Sequence, residues 1–115
     1  MKKPRVFHIY DDVTIHAWIH IPTFDAEQII REVENVRDIF CEYERLCGMC
    51  LKQYRKHGGL DMVYLSESSM LKNITRMARR RLADEGAGRI AMPDDQSARK
   101  VLALHIFEWC QAASQ

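Results

Sequence analysis

The segment "DAEQIIREVENVRDIFCEYERLCGMCLKQYRKHGG", residues 25–59, carries the clearest periodic pattern in this sequence of 115 residues. Apolar and aromatic side chains recur along it at alternating steps of four and three, which predicts one long amphipathic helix over residues 25–57. Gly58 and Gly59 follow, and glycine readily adopts the left-handed conformation that ends helices. We call the apolar stripe of this helix the seam, and its members are Ile29, Val33, Val36, Phe40, Tyr43, Cys47, Cys50 and Tyr54.

Gly48 lies inside this predicted helix. A glycine in a helix interior costs about 1 kcal/mol relative to alanine. Two interpretations follow from that cost: the helix is kinked or divided at Gly48, or another backbone passes close to it.

The segment before the long helix has the composition of a β-strand. Residues 13–21 alternate apolar with polar or aromatic side chains, and Pro22 follows them. Asp11 and Asp12 suit a turn, so residues 1–22 are predicted to form a strand, a hairpin or a frayed arm. His16 and His20 fall in this strand, where residues four apart are separated by roughly 13 Å, too far to share one metal ion.

Two further helices are predicted after the long one, over residues 66–85 and 94–112. The short segment "LDMVYLS", residues 60–66, is β-prone, and serines at its end suit the start of a helix. The last helix is apolar around most of its circumference and is therefore expected to be buried on several sides. The predicted fold class is α+β, mostly α, in a single domain over residues 1–115.

Charge and composition exclude several classes of protein. The sequence contains seventeen lysines and arginines and sixteen aspartates and glutamates, so the formal net charge is +1. No overall basic field would therefore attract nucleic acid. No run approaches the roughly 18 apolar residues of a membrane span, and the first residues do not resemble a signal peptide. We therefore expect a cytoplasmic protein with reduced thiols and without membrane contact.

Cys47 and Cys50 form a C-x2-C pair. Zinc binding through this pair would require further ligands, and Cys41, His57, Cys110 or a histidine of the predicted strand would have to be brought to it by the fold. A redox pair of the thioredoxin type begins a helix, whereas this pair lies inside one. We therefore predict buried thiols, with no metal and no cofactor, and keep metal binding and redox chemistry as alternatives.

The only concentrated positive charge lies in the helix predicted over residues 66–85. Its basic face consists of Lys72, Arg76, Arg79 and Arg80. This face is interpreted as a solvated surface, as a contact for phosphate or nucleic acid, or as a docking surface for an acidic partner. Arg81 points toward the apolar side and is expected to pair with a carboxylate or to emerge near the end of the helix. No known catalytic motif occurs, so an enzyme is not predicted.

Length and charge of the long helix suggest how the protein acts. A helix over residues 25–57 would be about 50 Å long, whereas a compact domain of this size is roughly 35 Å across. It would overhang its domain and expose the seam unless another chain covered it. Its first part is acidic and its last part basic, which favours an antiparallel homodimer.

The function predicted from these features is a non-enzymatic regulator that acts by protein–protein interaction. We expect a dimer that binds and masks a partner such as a transcription factor, in the manner of an anti-activator or inhibitor, with the seam as the dimer or partner contact. The alternative is a nucleic-acid-binding regulator that uses the basic face of the helix over residues 66–85.

Overall fold

A computed structural model describes residues 24–84 and 94–115, which form five α-helices. The helices are α1 (Phe24–Asn35), α2 (Arg37–His57), α3 (Met62–Ser66), α4 (Ser69–Asp84) and α5 (Asp95–Ala113). No strand occurs within these two ranges, so the predicted α+β class is wrong and the described chain is all-α. The strand or hairpin predicted for residues 1–22 lies outside the described residues.

The predicted single helix over residues 25–57 is wrong in one respect, because it is divided at Val36. Val36 has an extended backbone (φ −104°, ψ 109°), and α2 begins immediately after it without a side-chain cap. Asn35 and the β-branched Val36 are both weaker helix formers than their immediate neighbours Glu34 and Arg37, which favours a break there. The predicted overhang is lost, since α2 alone is about 31 Å long and the described residues have a longest dimension of 51 Å.

The break considered at Gly48 is not observed, and α2 runs without interruption from Arg37 to His57. A Cβ atom built on Gly48 would have no atom within 4 Å, so no other backbone of the described residues passes close to it. The predicted end of the helix is confirmed: Gly58 is left-handed (φ 78°), and its N–H donates to the carbonyl of Tyr54 at 2.7 Å.

The β-prone segment of residues 60–66 is helical because its polar side chains cap helices. Asp61 Oδ1 accepts a hydrogen bond from the N–H of Tyr64 at 3.1 Å, which begins α3. Ser68 Oγ accepts from the N–H of Leu71 at 3.3 Å at the start of α4. Asp94 accepts from the N–H of Ser97 at 2.7 Å and begins α5 close to the predicted boundary.

Helix α5 lies at the centre of the described structure and contacts each of the other four helices. The expectation that this helix is buried on several sides is therefore confirmed. Its buried residues are Ala98, Arg99, Val101, Leu102, Ala103, Ile106, Phe107 and Cys110. None of the helices within residues 24–84 and 94–115 combines the length and the apolar character needed to cross a bilayer.

Candidate interaction surfaces

The seam packs into the chain's own core. Ile29 and Val33 are fully buried, and Tyr43, Cys47 and Cys50 are each less than one-tenth exposed. The other three members are partly buried and pack against the same core, and they are Val36, Phe40 and Tyr54. The overhang on which the exposure of the seam depended is absent, so its assignment to a dimer or partner contact stays a prediction without that support.

Two polar contacts and two ring contacts hold α2 beside α5. The hydroxyl of Tyr43 lies 2.5 Å from Nδ1 of His105, and the two rings stack with centroids 5.9 Å apart. Arg55 donates from Nη2 to the carbonyl of Ala113 at 3.0 Å. The contact nearer the C-terminal end of α2 is also the one nearer the C-terminal end of α5, so the two helices run in the same direction. Tyr54 meets the ring of Phe107 edge-on.

The Tyr43 hydroxyl is held in its protonated form. Burial raises the pKa of the Tyr43 hydroxyl well above its usual value, and the nearby Cys47 and Glu34 raise it further. The hydroxyl therefore stays protonated beside Nδ1 of His105. The direction of the hydrogen bond follows the tautomer of the imidazole: Nδ1 accepts when the ring proton is on Nε2 and donates when it is on Nδ1.

Three of the four cysteines are buried, as predicted for Cys47 and Cys50. Burial raises the pKa of Cys47 and of Cys50 to about 12 each, and it raises the pKa of Cys110 to about 11. At neutral pH these side chains are thiols, whereas the nucleophile and the metal ligand is the thiolate. Within residues 24–84 and 94–115 no group of three His, Cys, Asp or Glu side chains is arranged to hold a metal ion.

Two of the four cations of the basic face of α4 are paired with carboxylates of the chain itself. Lys72 Nζ lies 3.3 Å from Glu67 Oε1, and Arg99 Nη2 donates to Glu67 Oε2 at 2.9 Å. Arg99 also donates to Asp95, whose other oxygen lies 3.8 Å from Nη1 of Arg79. These five residues form a chain of ion pairs that links the start of α4 to α5. Two cations of the predicted anion-binding set are therefore neutralised locally.

The remaining cations of α4 differ in their surroundings. Arg76 Nη2 donates to Asn73 Oδ1 at 3.1 Å, and Arg80 is exposed. The predicted pairing of Arg81 with a carboxylate is confirmed, because its Nε lies 3.9 Å from Oε2 of the buried Glu32. The part of the basic face that is not paired with a carboxylate is thus reduced to Arg76 and Arg80, which makes a weak anion site.

An apolar groove lies between α2 and α3, a place that the sequence did not suggest. We call it the α2/α3 groove, and it has a volume of about 260 Å³. Its lining residues are Leu46, Met49, Cys50, Gln53, Leu60, Asp61, Tyr64, Leu65, Ser68 and Met70. Large apolar side chains are exposed at its rim: Met49 is 52% exposed and Tyr64 58% exposed, and the neighbouring Val63 is 59% exposed. The spacing of Asp61 and Tyr64, a capping residue three positions before an apolar one, was the available signal for α3.

A second groove lies between α2 and α5, and we call it the α2/α5 groove. It has a volume of about 440 Å³ and is lined by Glu34, Phe40, Tyr43, Glu44, Cys47, Gly48, His105 and Trp109. Trp109 is 41% exposed at its edge. Neither Glu34 nor Glu44 has an ion-pair partner within residues 24–84 and 94–115. The groove therefore combines aromatic walls with unpaired negative charge.

Comparison of the chain with protein-family models, with curated proteins and with solved structures finds no match. The function must therefore be argued from the surfaces described above.

Proposed function

We propose that this chain is a non-enzymatic regulatory protein that binds and masks another protein, such as a transcription factor, through the α2/α3 groove. The observation that carries this proposal is the pair of exposed apolar side chains that line that groove, Met49 and Tyr64. Aromatic residues and methionine are enriched at protein interfaces, and tyrosine is over-represented among the residues that dominate binding energy. An unbranched methionine also adapts its shape to different partner surfaces.

The size of the groove supports a protein partner over a small ligand. Its volume of about 260 Å³ falls below the roughly 300–1,000 Å³ typical of small-molecule sites. Leu46, Leu60 and Leu65 are buried residues that contribute to its lining. A space of this kind fits one or two apolar side chains that project from a partner helix or loop.

The charge beside the groove favours a partner segment with carboxylates next to its apolar side chains. Lys56 lies two helical turns after Met49 on the same side of α2 and is exposed. It has no ion-pair partner within the described ranges 24–84 and 94–115. An acidic residue of the partner would therefore meet an unneutralised cation at the edge of the groove.

The titration of the buried groups supports a role without covalent chemistry. The raised pKa values of Cys47, Cys50 and Cys110 keep these groups as thiols at neutral pH, which makes them poor nucleophiles. The Tyr43 hydroxyl is likewise held protonated. We place the protein in the cytoplasm, where such thiols stay reduced.

The experiment that tests the proposal compares two charged substitutions at exposed methionines. Met49→Glu places a charge in the α2/α3 groove, whereas Met77→Glu places one on the outer surface of α4, where Met77 is 38% exposed. Each variant and the wild type are used to capture proteins from a native extract, and the captured proteins are identified by mass spectrometry.

The proposal expects a protein that is retained by the wild type and by Met77→Glu but lost from Met49→Glu. If that protein is a transcription factor, adding the purified regulator should reduce its binding to its DNA site, and Met49→Glu should not. Equal capture by all three chains would contradict binding through the α2/α3 groove.

A further inference from the structure

Helix α2 has a continuous solvent-exposed stripe that its own fold does not use. We call it the Gly48 face, and its members are Cys41, Glu44, Arg45, Gly48 and Lys52, all of them exposed. Residues three and four apart lie on one side of a helix, so these five side-chain positions form a single row. Leu46 and Cys50 flank Gly48 in sequence but point into the core, about 160° away round the helix.

Gly48 at the centre of this row has no role within the chain. It is exposed in the middle of an uninterrupted helix, and a Cβ atom there would have nothing within 4 Å. An alanine would fit and would stabilise the helix by about 1 kcal/mol. A glycine on a helix surface does allow a second helix to approach more closely than any side chain would permit, since the distance between packed helices depends on the side chains at the contact.

The charges on either side of Gly48 indicate what kind of second helix would bind to the Gly48 face. Glu44 lies four residues before Gly48 and Lys52 four residues after it, and both are exposed. Neither has an ion-pair partner among residues 24–84 and 94–115. They cannot pair with each other, because eight residues separate them by about 12 Å along the helix axis.

A second copy of the same helix satisfies both charges at once. When two copies of α2 cross antiparallel with their Gly48 residues in contact, Glu44 of each chain lies opposite Lys52 of the other. The two chains are then related by a two-fold axis at the crossing of the Gly48 residues, and the Glu44–Lys52 pair occurs twice, as expected for a closed dimer. A parallel arrangement would instead place Glu44 opposite Glu44 and Lys52 opposite Lys52, which is repulsive.

We propose that two copies of this chain associate through antiparallel α2 helices that cross at Gly48, with Glu44 of each copy facing Lys52 of the other. Glu44 and Gly48 also line the α2/α5 groove, so the second helix lies along that groove. It covers Trp109, whose side chain is 41% exposed in the single chain and supplies apolar area to the contact. This proposal does not depend on the α2/α3 groove, because Met49 points about 100° away from Gly48.

The test is a charge exchange between the two positions, read by analytical ultracentrifugation and light scattering over a dilution series. Glu44→Lys alone and Lys52→Glu alone each place like charges opposite one another twice, and each should weaken dimerisation about tenfold or more. The double variant E44K/K52E restores opposite charges and should dimerise within about threefold of the wild type. All the altered side chains are exposed, so circular dichroism should report unchanged helix content.

The single reversals separate the antiparallel arrangement from a parallel one, in which each reversal would only replace one like-charge pair by another, and a mixture of the two single variants tests the charge complementarity itself. In the antiparallel pair, the lysine placed at position 44 of one chain meets the glutamate placed at position 52 of the other, and Lys52 meets Glu44. The two weakly associating variants should therefore form a heterodimer when mixed. Arg76→Glu reverses a charge on α4, away from the Gly48 face, and should leave the dimer unchanged.

Gly48→Ala gives a second, independent readout. It should raise the thermal midpoint of the protein at dilutions where it is monomeric, and it should weaken dimerisation because the added methyl groups separate the two helices. A wild-type protein that stays monomeric at every concentration would overturn the proposal. A dimer whose strength is unaffected by the single reversals, or is not restored in the double variant and in the mixture, would overturn it equally.

Discussion

The hydroxyl of Tyr43 lies 2.5 Å from Nδ1 of His105, in a contact that joins α2 to α5 across 62 positions of the chain. The contact fixes the side of α2 that faces the core, because Tyr43 is almost fully buried and has one orientation in which its hydroxyl is satisfied. It also sets the floor of the α2/α5 groove, since both side chains line it.

Replacing Tyr43 by phenylalanine should lower the free energy of unfolding by about 1–2 kcal/mol. The ring and its packing remain, but Nδ1 of the partly buried His105 loses its hydrogen-bond partner. Urea denaturation followed by circular dichroism measures the effect. Tyr54→Phe is the matched control, because the Tyr54 hydroxyl makes no hydrogen bond within the described part of the chain, and it should change the stability by less than about 0.5 kcal/mol.

The four thiols should react at two very different rates. Cys41 is exposed, whereas Cys47, Cys50 and Cys110 are buried and have raised pKa values. A thiol-reactive dye should therefore label one site rapidly in the native protein and the other three only as the protein unfolds. Cys41→Ser should abolish the rapid phase, and rapid labelling of a second thiol would contradict the burial of the core cysteines.

Stability should fall as the solution becomes strongly alkaline. The folded pKa values of Cys47 and Cys50, about 12, lie above the ordinary value of 9.0. A raised thiol pKa means that the folded state holds the proton, so the stabilisation is complete below about pH 9 and is lost as the pH rises toward the folded pKa. The free energy of unfolding should fall by at most about 1.4 kcal/mol per pH unit for each thiol. Denaturant midpoints measured from pH 8 to about 11 test this sign, and a stability that rose over this range would contradict it.

Removing the central cation of the ion-pair chain should destabilise the junction between α4 and α5. Arg99 is buried and contacts both Glu67 and Asp95, so Arg99→Ala should cost about 2–3 kcal/mol. The hydrogen bond from Arg99, and then that from Lys72, lowers the pKa of Glu67 from its usual 4.5. This contribution is therefore present above that pH and lost as the pH falls. Arg31→Ala is the control, because its pair with Glu27 is exposed on both sides and should contribute less than about 1 kcal/mol.

Binding to nucleic acid through α4 should be weak or absent. Lys72 and Arg79 are paired with Glu67 and Asp95, which leaves only Arg76 and Arg80 without a carboxylate beside them. A filter-binding assay at low salt should therefore find no tight, salt-sensitive retention of DNA or RNA. Tight retention that disappears in a variant with Arg76, Arg79 and Arg80 all changed to glutamate would restore the nucleic-acid alternative.

The heptad pattern predicted which side of α2 is apolar but not what covers it. Tyr43, Cys47 and Cys50 are buried at the predicted stripe, yet the cover is α5 of the same chain instead of a second molecule. Periodicity records the direction of a hydrophobic face, and the partner of that face depends on contacts between positions far apart in sequence. The predicted overhang also required an unbroken helix, and Val36 breaks it.

The two grooves could not be predicted from the sequence of any one segment, because each is formed by residues of more than one helix. Residues 60–66 have a strand-prone composition, but Met62–Ser66 form a helix because Asp61 caps its first turn and Met62 and Leu65 are buried. Tyr64 is exposed only because these two face inward. Gly48 was recognised as unusual from sequence, but its exposure on the outer face of α2 follows from the packing of the neighbouring turns.

The central position of α5 affects when the protein can fold during its synthesis on the ribosome. Every other described helix packs against α5, yet α5 follows all of them in the chain. At about 5–20 residues per second of synthesis, the four earlier helices emerge some seconds before the element that covers them. During that interval their apolar sides lack the cover that α5 supplies. The core of the described residues is thus completed only once residues 95–113 have left the exit tunnel.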